Sequence, residues 1–170
     1  MDLSAFEGND KLNRKRRAYG NHLTVSGLGI IFFGLWSVLK VFAEMAFGSL
    51  NLRSFLMEGI EDTTQMRAIM YGIFIALIVV ILLLHYYIGK CAIQVGTGKR
   101  RRYLYLLLAV LLFVVNLSGF DKYWNVNPYA TQLDVTFASF LVDVANCVIL
   151  INLVYTSIRF YQVSGKLGEG

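Results

Sequence analysis

Four long apolar runs dominate this 170-residue chain and restrict what it can fold into. They cover residues 22–43, 67–88, 103–117 and 133–158, and each approaches or exceeds the roughly 18 apolar residues that indicate a membrane-spanning helix. Only 16% of the residues are charged, below the share that is usual in soluble domains. The sequence therefore predicts an all-α, polytopic membrane protein whose one domain, residues 22–158, is a four-transmembrane-helix bundle.

Basic residues are concentrated before the first span, after the second and after the fourth. These segments are a leader, residues 1–21, a loop, residues 89–102, and a tail, residues 159–170. Together they hold twelve of the sixteen Lys and Arg residues. Because cytoplasmic loops carry an excess of Lys and Arg, we expect both termini and the loop to be cytoplasmic. The expected location is the cell membrane, inner or plasma.

The predicted basic cytoplasmic face has two groups of charge, one in the leader and one in the loop. Their members are Arg14, Lys15, Arg16, Arg17, Lys99, Arg100, Arg101 and Arg102. Four consecutive basic residues in the loop are denser than topology requires. They favour contact with anionic lipid on the cytoplasmic side or with a cytoplasmic protein partner. A nucleic-acid partner is conceivable but is not favoured.

Three charged residues lie inside or at the edge of the predicted spans: Lys40, Glu44 and Asp143. A carboxylate near the bilayer centre costs roughly 3 kcal/mol, so it normally faces a partner or water. Lys40 lies about 9 Å and Asp143 about 4 Å to the outer side of the middle of their spans, a gap that a lysine side chain covers. These charges indicate either an ion, proton or substrate pathway or a structural pair between the first and fourth spans. A third possibility is that Lys40 extends outward to Glu44. The structural interpretations are favoured.

Small and polar residues follow one face of the fourth span. Thr136, Ser139, Asp143, Asn146 and Cys147 are spaced by three and four residues, which places them on the same side of a helix. Such a stripe either lines a pore or forms hydrogen bonds between packed helices. The packing interpretation is favoured.

Glycines recur every seven residues in and before the first span, at Gly20, Gly27 and Gly34. Such a row forms a smooth face where another helix can approach closely. An adjacent face carries polar residues that include Lys40. We expect the first and fourth spans to form the buried seam and the other two to face lipid. One of the two marked faces would then be free for a second copy, which predicts a homo-oligomer.

The sequence contains no convincing catalytic or cofactor site. Residues 96–99, Gly-Thr-Gly-Lys, resemble a phosphate-binding loop only faintly, because Ile93 and Arg100 stand where that motif needs Gly and Ser or Thr. Neither His22 nor His85 has a carboxylate or Cys nearby at ligand spacing. No nucleophile, His and acid can be assembled on one side of the membrane. We therefore expect no enzyme activity, no metal and no cofactor.

These patterns predict a non-enzymatic integral membrane subunit that assembles in the membrane. It would act as an anchor or sensor for a cytoplasmic partner through the basic cytoplasmic face. The alternative is an oligomeric ion channel or small-solute transporter with a polar path along the fourth span.

Overall fold

The computed structural model describes residues 3–46, 64–99, 103–124 and 133–168, and within these ranges the chain is helical with no strand. The elements are α1 (Leu3–Ala46), α2 (Thr64–Gly96), α3 (Leu104–Ser118), α4 (Asp121–Trp124) and α5 (Leu133–Lys166). The predicted all-α class is confirmed for the described residues. Helix is the expected form for these apolar runs, because each backbone donor and acceptor is then paired within its own segment.

Three of the described helices are long and apolar enough to cross a membrane. The segments that meet this condition are Gly8–Ala43 in α1, Thr64–Gly96 in α2 and Ser139–Lys166 in α5. The fourth apolar helix, α3, has 15 residues. Its length of about 22 Å is less than the hydrocarbon thickness of about 30 Å. By length and composition, the chain is a helical membrane protein.

Helix α1 is longer than the predicted first span and has 44 residues. Residues 3–21, which the sequence predicted as a polar leader, continue the same helix. This segment contains no proline and no β-branched residue, so nothing in it interrupts helical structure. The basic charges of the leader are therefore attached to the apolar part of α1 without a hinge.

Helix α2 also continues past the predicted end at residue 88 and is closed by a glycine cap. Gly98 has a φ of 74°, a conformation that glycine adopts without steric cost. Its N–H donates to the Val95 carbonyl at 3.0 Å, and the N–H of Lys99 donates to the Gln94 carbonyl at 2.9 Å. This pair of hydrogen bonds is a Schellman motif, which ends the helix at the loop.

All described helices except the single-turn α4 form the bundle. Their cyclic order is α1, α2, α3, α5, and neighbours run antiparallel. The contact of α1 with α2 is the most extensive, followed by that of α1 with α5. Gly20, Gly96 and Phe160 meet at one end of the bundle, which we call the basic end. Lys40 and Asp143 meet toward the opposite, or far, end.

The packing of α2 corrects the predicted seam between the first and fourth spans. The prediction that the second span faces lipid holds for its outer part, where Ile73, Ile75, Leu77, Val79, Val80 and Leu83 are exposed. It is wrong for the last part of the span, where His85 and Ile88 are buried. Ala92 and Val95, in the segment predicted as a loop, are buried in the core as well. The reason is that Gly89 and Gly96 let the backbone of α1 approach α2 closely.

Candidate functional site

A buried ion pair joins α1 to α5. The ammonium Nζ of Lys40 lies 2.6 Å from Oδ2 of Asp143, and the two side chains are 10% and 17% exposed. The structure thus brings together two of the three charges singled out in the predicted spans. The side chain of the third, Glu44, lies outside the described residues. Removing charges from water is costly, and close contact with hydrogen bonds offsets much of that cost.

Tyr123, from the single-turn helix α4, completes this ion-pair cluster. Its hydroxyl donates to Oδ2 of Asp143, and it accepts a hydrogen bond from Nζ of Lys40 at 3.0 Å. One carboxylate oxygen therefore accepts hydrogen bonds from both Lys40 and Tyr123.

An aromatic group encloses the ion-pair cluster. The rings of Phe120, Tyr123 and Phe140 contact one another edge to face, with centroids 5.3–5.9 Å apart. These edge-to-face contacts hold the Tyr123 ring in a fixed orientation, which keeps its hydroxyl at the ion pair. The sequence pattern did not identify Tyr123 as part of this site, because aromatic residues after a span are typical of a membrane interface.

The polar stripe of the fourth span faces the interior of the bundle. Ser139 and Asn146 are buried, at 7% and 2% exposure. The amide Nδ2 of Asn146 donates to Oδ1 of Asn116 on α3 at 3.2 Å. The side chain of Thr136 lies outside the described residues. Nearer the basic end, Leu150 and Leu153 are fully buried, so an apolar layer interrupts the stripe.

Two further polar contacts join the helices, one at the height of these leucines and one nearer the basic end. Nδ2 of Asn152 on α5 donates to Oγ of Ser26 on α1 at 3.1 Å. The hydroxyl of Tyr105 on α3 donates to Oγ of Ser157 at 2.8 Å, and both residues are fully buried. Hydrogen bonds of this kind hold membrane helices together where lipid offers no alternative partner.

The glycine row of α1 lies directly against α2. A Cβ added to Gly20 would lie 2.6 Å from the carbonyl oxygen of Gly96, and one added to Gly27 would lie 2.7 Å from that of Gly89. A Cβ at Gly34 would lie 2.5 Å from Cβ of His85. The glycine row is therefore a contact within the chain, at a separation that no other residue type permits.

Both marked faces of α1 are thus used inside one chain. The glycine row contacts α2, and the polar face that carries Ser26 and Lys40 contacts α5. The prediction of self-association assumed that one of these faces would be left for a second copy. That premise is wrong, because α2 occupies one of these faces and α5 the other. The spacing of residues along α1 does not reveal which helices will cover its faces.

The basic face is described in part. Lys11, Arg14, Lys15 and Arg17 are exposed on the first turns of α1, and Arg16 is partly buried. In the loop, Lys99 is exposed, whereas Arg100, Arg101 and Arg102 lie outside the described residues. A shallow groove of about 230 Å³ runs along α1 and is lined by Asp10, Asn13, Arg14 and Arg17.

The described residues offer no metal site, since no group of three His, Cys, Asp or Glu side chains is close enough to hold an ion. The features that remain are a neutralised ion-pair cluster, a glycine contact and a basic helix end. No protein-family model matches the chain, and no curated protein or solved structure matches it either.

Proposed function

We propose that the chain is a non-enzymatic, multi-pass subunit of the cell membrane, with four transmembrane segments and both termini in the cytoplasm. The bundle serves as an anchor or sensor, and the basic cytoplasmic face recruits a protein partner. The observation that carries this proposal is the unbroken helix α1, which joins an exposed basic segment to an apolar segment of membrane-spanning length.

The proposed orientation is supported by the distribution of charge over the bundle. Because neighbouring helices are antiparallel, the start of α1, the loop after α2 and the end of α5 all lie at the basic end. These segments hold most of the Lys and Arg residues. An excess of such residues marks the cytoplasmic side. Four crossings agree with this arrangement, in which α3 runs antiparallel to both α2 and α5.

The position of the charges along α1 favours a protein partner over lipid alone. Measured along the helix axis, Arg16 and Arg17 lie about 5 Å from Gly20, Arg14 about 9 Å and Lys11 about 14 Å. The attraction of an anionic lipid surface declines within about 8–10 Å at physiological salt. With the membrane surface near Gly20, Arg16 and Arg17 lie within this range, while Lys11, exposed on α1, lies beyond it, where a protein surface rather than lipid reaches it.

The groove on α1 has a mixed character that also suits a protein. Arg14 and Arg17 supply guanidinium groups, which bind carboxylates through two hydrogen bonds. Asp10 and Asn13 lie beside them and add acceptors. A protein surface offers both acidic groups, which Arg14 and Arg17 can bind, and donors, which Asp10 and Asn13 can accept from. The preferred partner is a cytoplasmic protein that presents acidic side chains beside hydrogen-bond donors.

In this proposal the ion-pair cluster holds α1 and α5 together and does not conduct. Lys40, Tyr123 and Asp143 hydrogen-bond to one another, and buried Leu150 and Leu153 separate them from the basic end. The hydrogen bond between Asn152 and Ser26 lies at the height of these leucines, so polar groups are present in that layer too. This contact and the buried polar stripe are the arguments for the alternative, a channel or small-solute transporter. Flux of ions into liposomes containing the pure protein would favour it.

The proposal can be tested by neutralising the exposed charges of α1. In a variant with Lys11, Arg14, Lys15 and Arg17 changed to Gln, crosslinking of the partner at Asn13 should fall roughly thirty-fold. That figure takes about 0.5 kcal/mol for each lost surface pair. The salt dependence of binding should also become weaker. The control variant carries Arg67→Gln and Lys122→Gln, which remove charge away from the basic end and should leave crosslinking unchanged.

Topology has to be measured in the same variants, since loss of basic residues can invert a membrane segment. A cysteine introduced at Asn125 should react with an impermeant reagent added outside intact cells, whereas one introduced at the exposed position of Lys99 should react only after the cells are opened. Unchanged crosslinking in a variant with preserved topology would contradict the recruitment proposal. Labelling of the cysteine at position 99 from outside would contradict the orientation.

Self-association is also proposed, through the exposed apolar surfaces of the bundle rather than through the marked faces of α1. Native mass spectrometry of the protein in nanodiscs measures it directly. A single chain per disc at all protein concentrations would contradict it.

A further inference from the structure

Two buried polar atoms in the described part of the chain have no hydrogen-bond partner, Nε2 of His85 and Oδ1 of Asn146. The side chains are 3% and 2% exposed. Buried polar groups are nearly always paired, and an unpaired one is costly. Two such atoms in one small bundle therefore call for an explanation.

Both atoms are hydrogen-bond acceptors. Nδ1 of His85 lies 2.8 Å from the carbonyl oxygen of Ile81 and must donate to it, so Nε2 of the neutral ring carries a lone pair. Nδ2 of Asn116 donates to the Leu112 carbonyl at 2.8 Å, which leaves Oδ1 of Asn116 to accept from Nδ2 of Asn146. This network fixes the orientation of the Asn146 amide and leaves its oxygen as the unpaired atom.

The register of α1 against α5 places Asn146 at a definite height in the bundle. Lys40 contacts Asp143, and nearer the basic end Gly29 faces Ile149, with Cδ1 3.2 Å from an added Cβ. Asn146 is midway between the two α5 partners. The corresponding midpoint on α1 is close to residue 34.

His85 lies at this same height. A Cβ added to Gly34 would be 2.5–3.2 Å from atoms of His85, so these two residues are level with each other. Asn116 is level with Asn146 through their hydrogen bond. Each of the four long helices therefore contributes one residue to a single layer, which we call the polar layer.

Both acceptors lie on the inward faces of their helices. His85 is three and seven residues before Ile88 and Ala92, which are fully buried core residues. Asn146 is four and seven residues before Leu150 and Leu153, which are equally buried. Residues at these spacings share one side of a helix. His85 and Asn146 therefore both belong to the interior, and Gly34 lets the His85 side chain pack directly against α1.

We propose that the polar layer binds a small ligand that donates one hydrogen to Nε2 of His85 and another to Oδ1 of Asn146. Two acceptors cannot satisfy each other, but a molecule with two O–H or N–H groups satisfies both. Water and ammonium-type cations share this chemistry. An internal water normally makes two to four hydrogen bonds to buried polar groups, which is what the layer provides.

The first test reads His85 directly. The chain has two histidines, so ¹⁵N-histidine labelling of a His22→Gln variant leaves one imidazole signal in solid-state NMR spectra. We expect the Nε2 resonance of a ring that accepts a hydrogen bond. In an Asn146→Leu variant it should shift toward that of a free lone pair, because the ligand loses one of its two acceptors. A free lone pair in both proteins would overturn the proposal.

The second test is the coupling between two substitutions. Asn146→Leu removes the hydrogen bond to Asn116 in any case, so its own effect on Tm includes that loss. If the layer is bridged, its effect is not additive with that of His85→Phe, because both remove an acceptor from the same ligand. The matched control is Asn152→Leu, which should lower Tm through loss of the Ser26 contact, act additively with His85→Phe and leave the His85 signal unchanged. Additive effects of Asn146→Leu and His85→Phe would overturn the proposal.

The effect of added salts on Tm distinguishes an ammonium-type cation from water as the ligand. If the ligand is a cation, ammonium chloride or methylammonium chloride raises the Tm of the wild-type protein more than sodium chloride at equal ionic strength, and does not do so for Asn146→Leu. If the ligand is water, the three salts act alike while the coupling between His85 and Asn146 persists. Either result, together with that coupling, supports a donor ligand in the polar layer.

Discussion

The two neighbours of α1 are held in opposite ways. Toward α2, α1 presents a row of glycines whose backbone touches the backbone of the other helix. Toward α5 it presents polar side chains, with Ser26 bonded to Asn152 and Lys40 paired with Asp143. The contact with α2 requires that the glycines have no side chain, whereas the contact with α5 requires particular polar side chains. Larger residues in the glycine row should therefore break the first contact, and removal of polar groups should break the second.

The largest effect is expected from filling the glycine contact. Gly27→Leu together with Gly34→Leu should prevent the bundle from forming, because each new side chain meets atoms that lie less than 3 Å from its Cβ. Overpacking at one buried site typically costs about 1–3 kcal/mol and occasionally more, so the pair should cost up to about 6 kcal/mol. The yield of monodisperse protein and the Tm in nanodiscs measure this loss.

Gly72 provides the matched control for the leucine variants, since no atom lies within 4 Å of an added Cβ there. Gly72→Leu should be neutral or stabilise α2 by up to about 1 kcal/mol through helix propensity. Equal damage from leucine at Gly72 and at Gly27 would show that close approach is not what makes the glycine row necessary.

The next effect is expected from the charged contact. Lys40→Met leaves the carboxylate of Asp143 buried without its cation, which typically costs about 3–5 kcal/mol. Asp143→Asn should cost less, because it leaves a neutral amide and a lysine that can extend toward the surface. The double variant should recover part of the stability that Lys40→Met loses, as measured by thermal unfolding in detergent. Costs that simply add would mean that the two groups do not stabilise each other.

The smallest effect is expected from removing one hydroxyl group of the contact with α5, that of Tyr123. Tyr123→Phe keeps the ring and its aromatic contacts but removes a hydrogen bond to the Asp143 carboxylate. Hydrogen bonds to charged groups contribute about 2 kcal/mol. Tyr71→Phe, at an exposed position on α2, should change stability by less than about 0.5 kcal/mol. If both variants behaved alike in thermal unfolding, Tyr123 would be no part of the ion-pair cluster.

The sequence indicated where α1 could make contacts but not with which helix. The seven-residue spacing of Gly20, Gly27 and Gly34 is visible in the sequence. Hydropathy falls at Lys90, and this fall predicts a loop over their partners Gly89 and Gly96. Helix α2 nevertheless continues there, since packing on α1 and the cap at Gly98 stabilise it beyond the apolar band.

The ion-pair cluster shows the same limit at the scale of single residues. The depths of Lys40 and Asp143 in their spans made a contact between them plausible from spacing alone. Tyr123 could not be assigned in this way, since its position depends on where the short helix α3 ends and the chain turns. His85 and Asn146 are far apart in sequence, and only the register of all four helices brings them to one height. Such relations depend on tertiary packing, which local sequence patterns do not encode.

The shortness of α3 has a consequence for the surrounding lipid. Its exposed apolar side chains extend from Leu104 to Leu117, about 20 Å along the axis. If α3 crosses the membrane, as proposed above, the bilayer beside it has to thin locally, at a cost of a fraction of a kcal/mol for each ångström of hydrophobic mismatch. The neighbouring helices α2 and α5 impose no such demand. The protein would therefore deform its membrane on one side only, and would be stabilised in thinner bilayers.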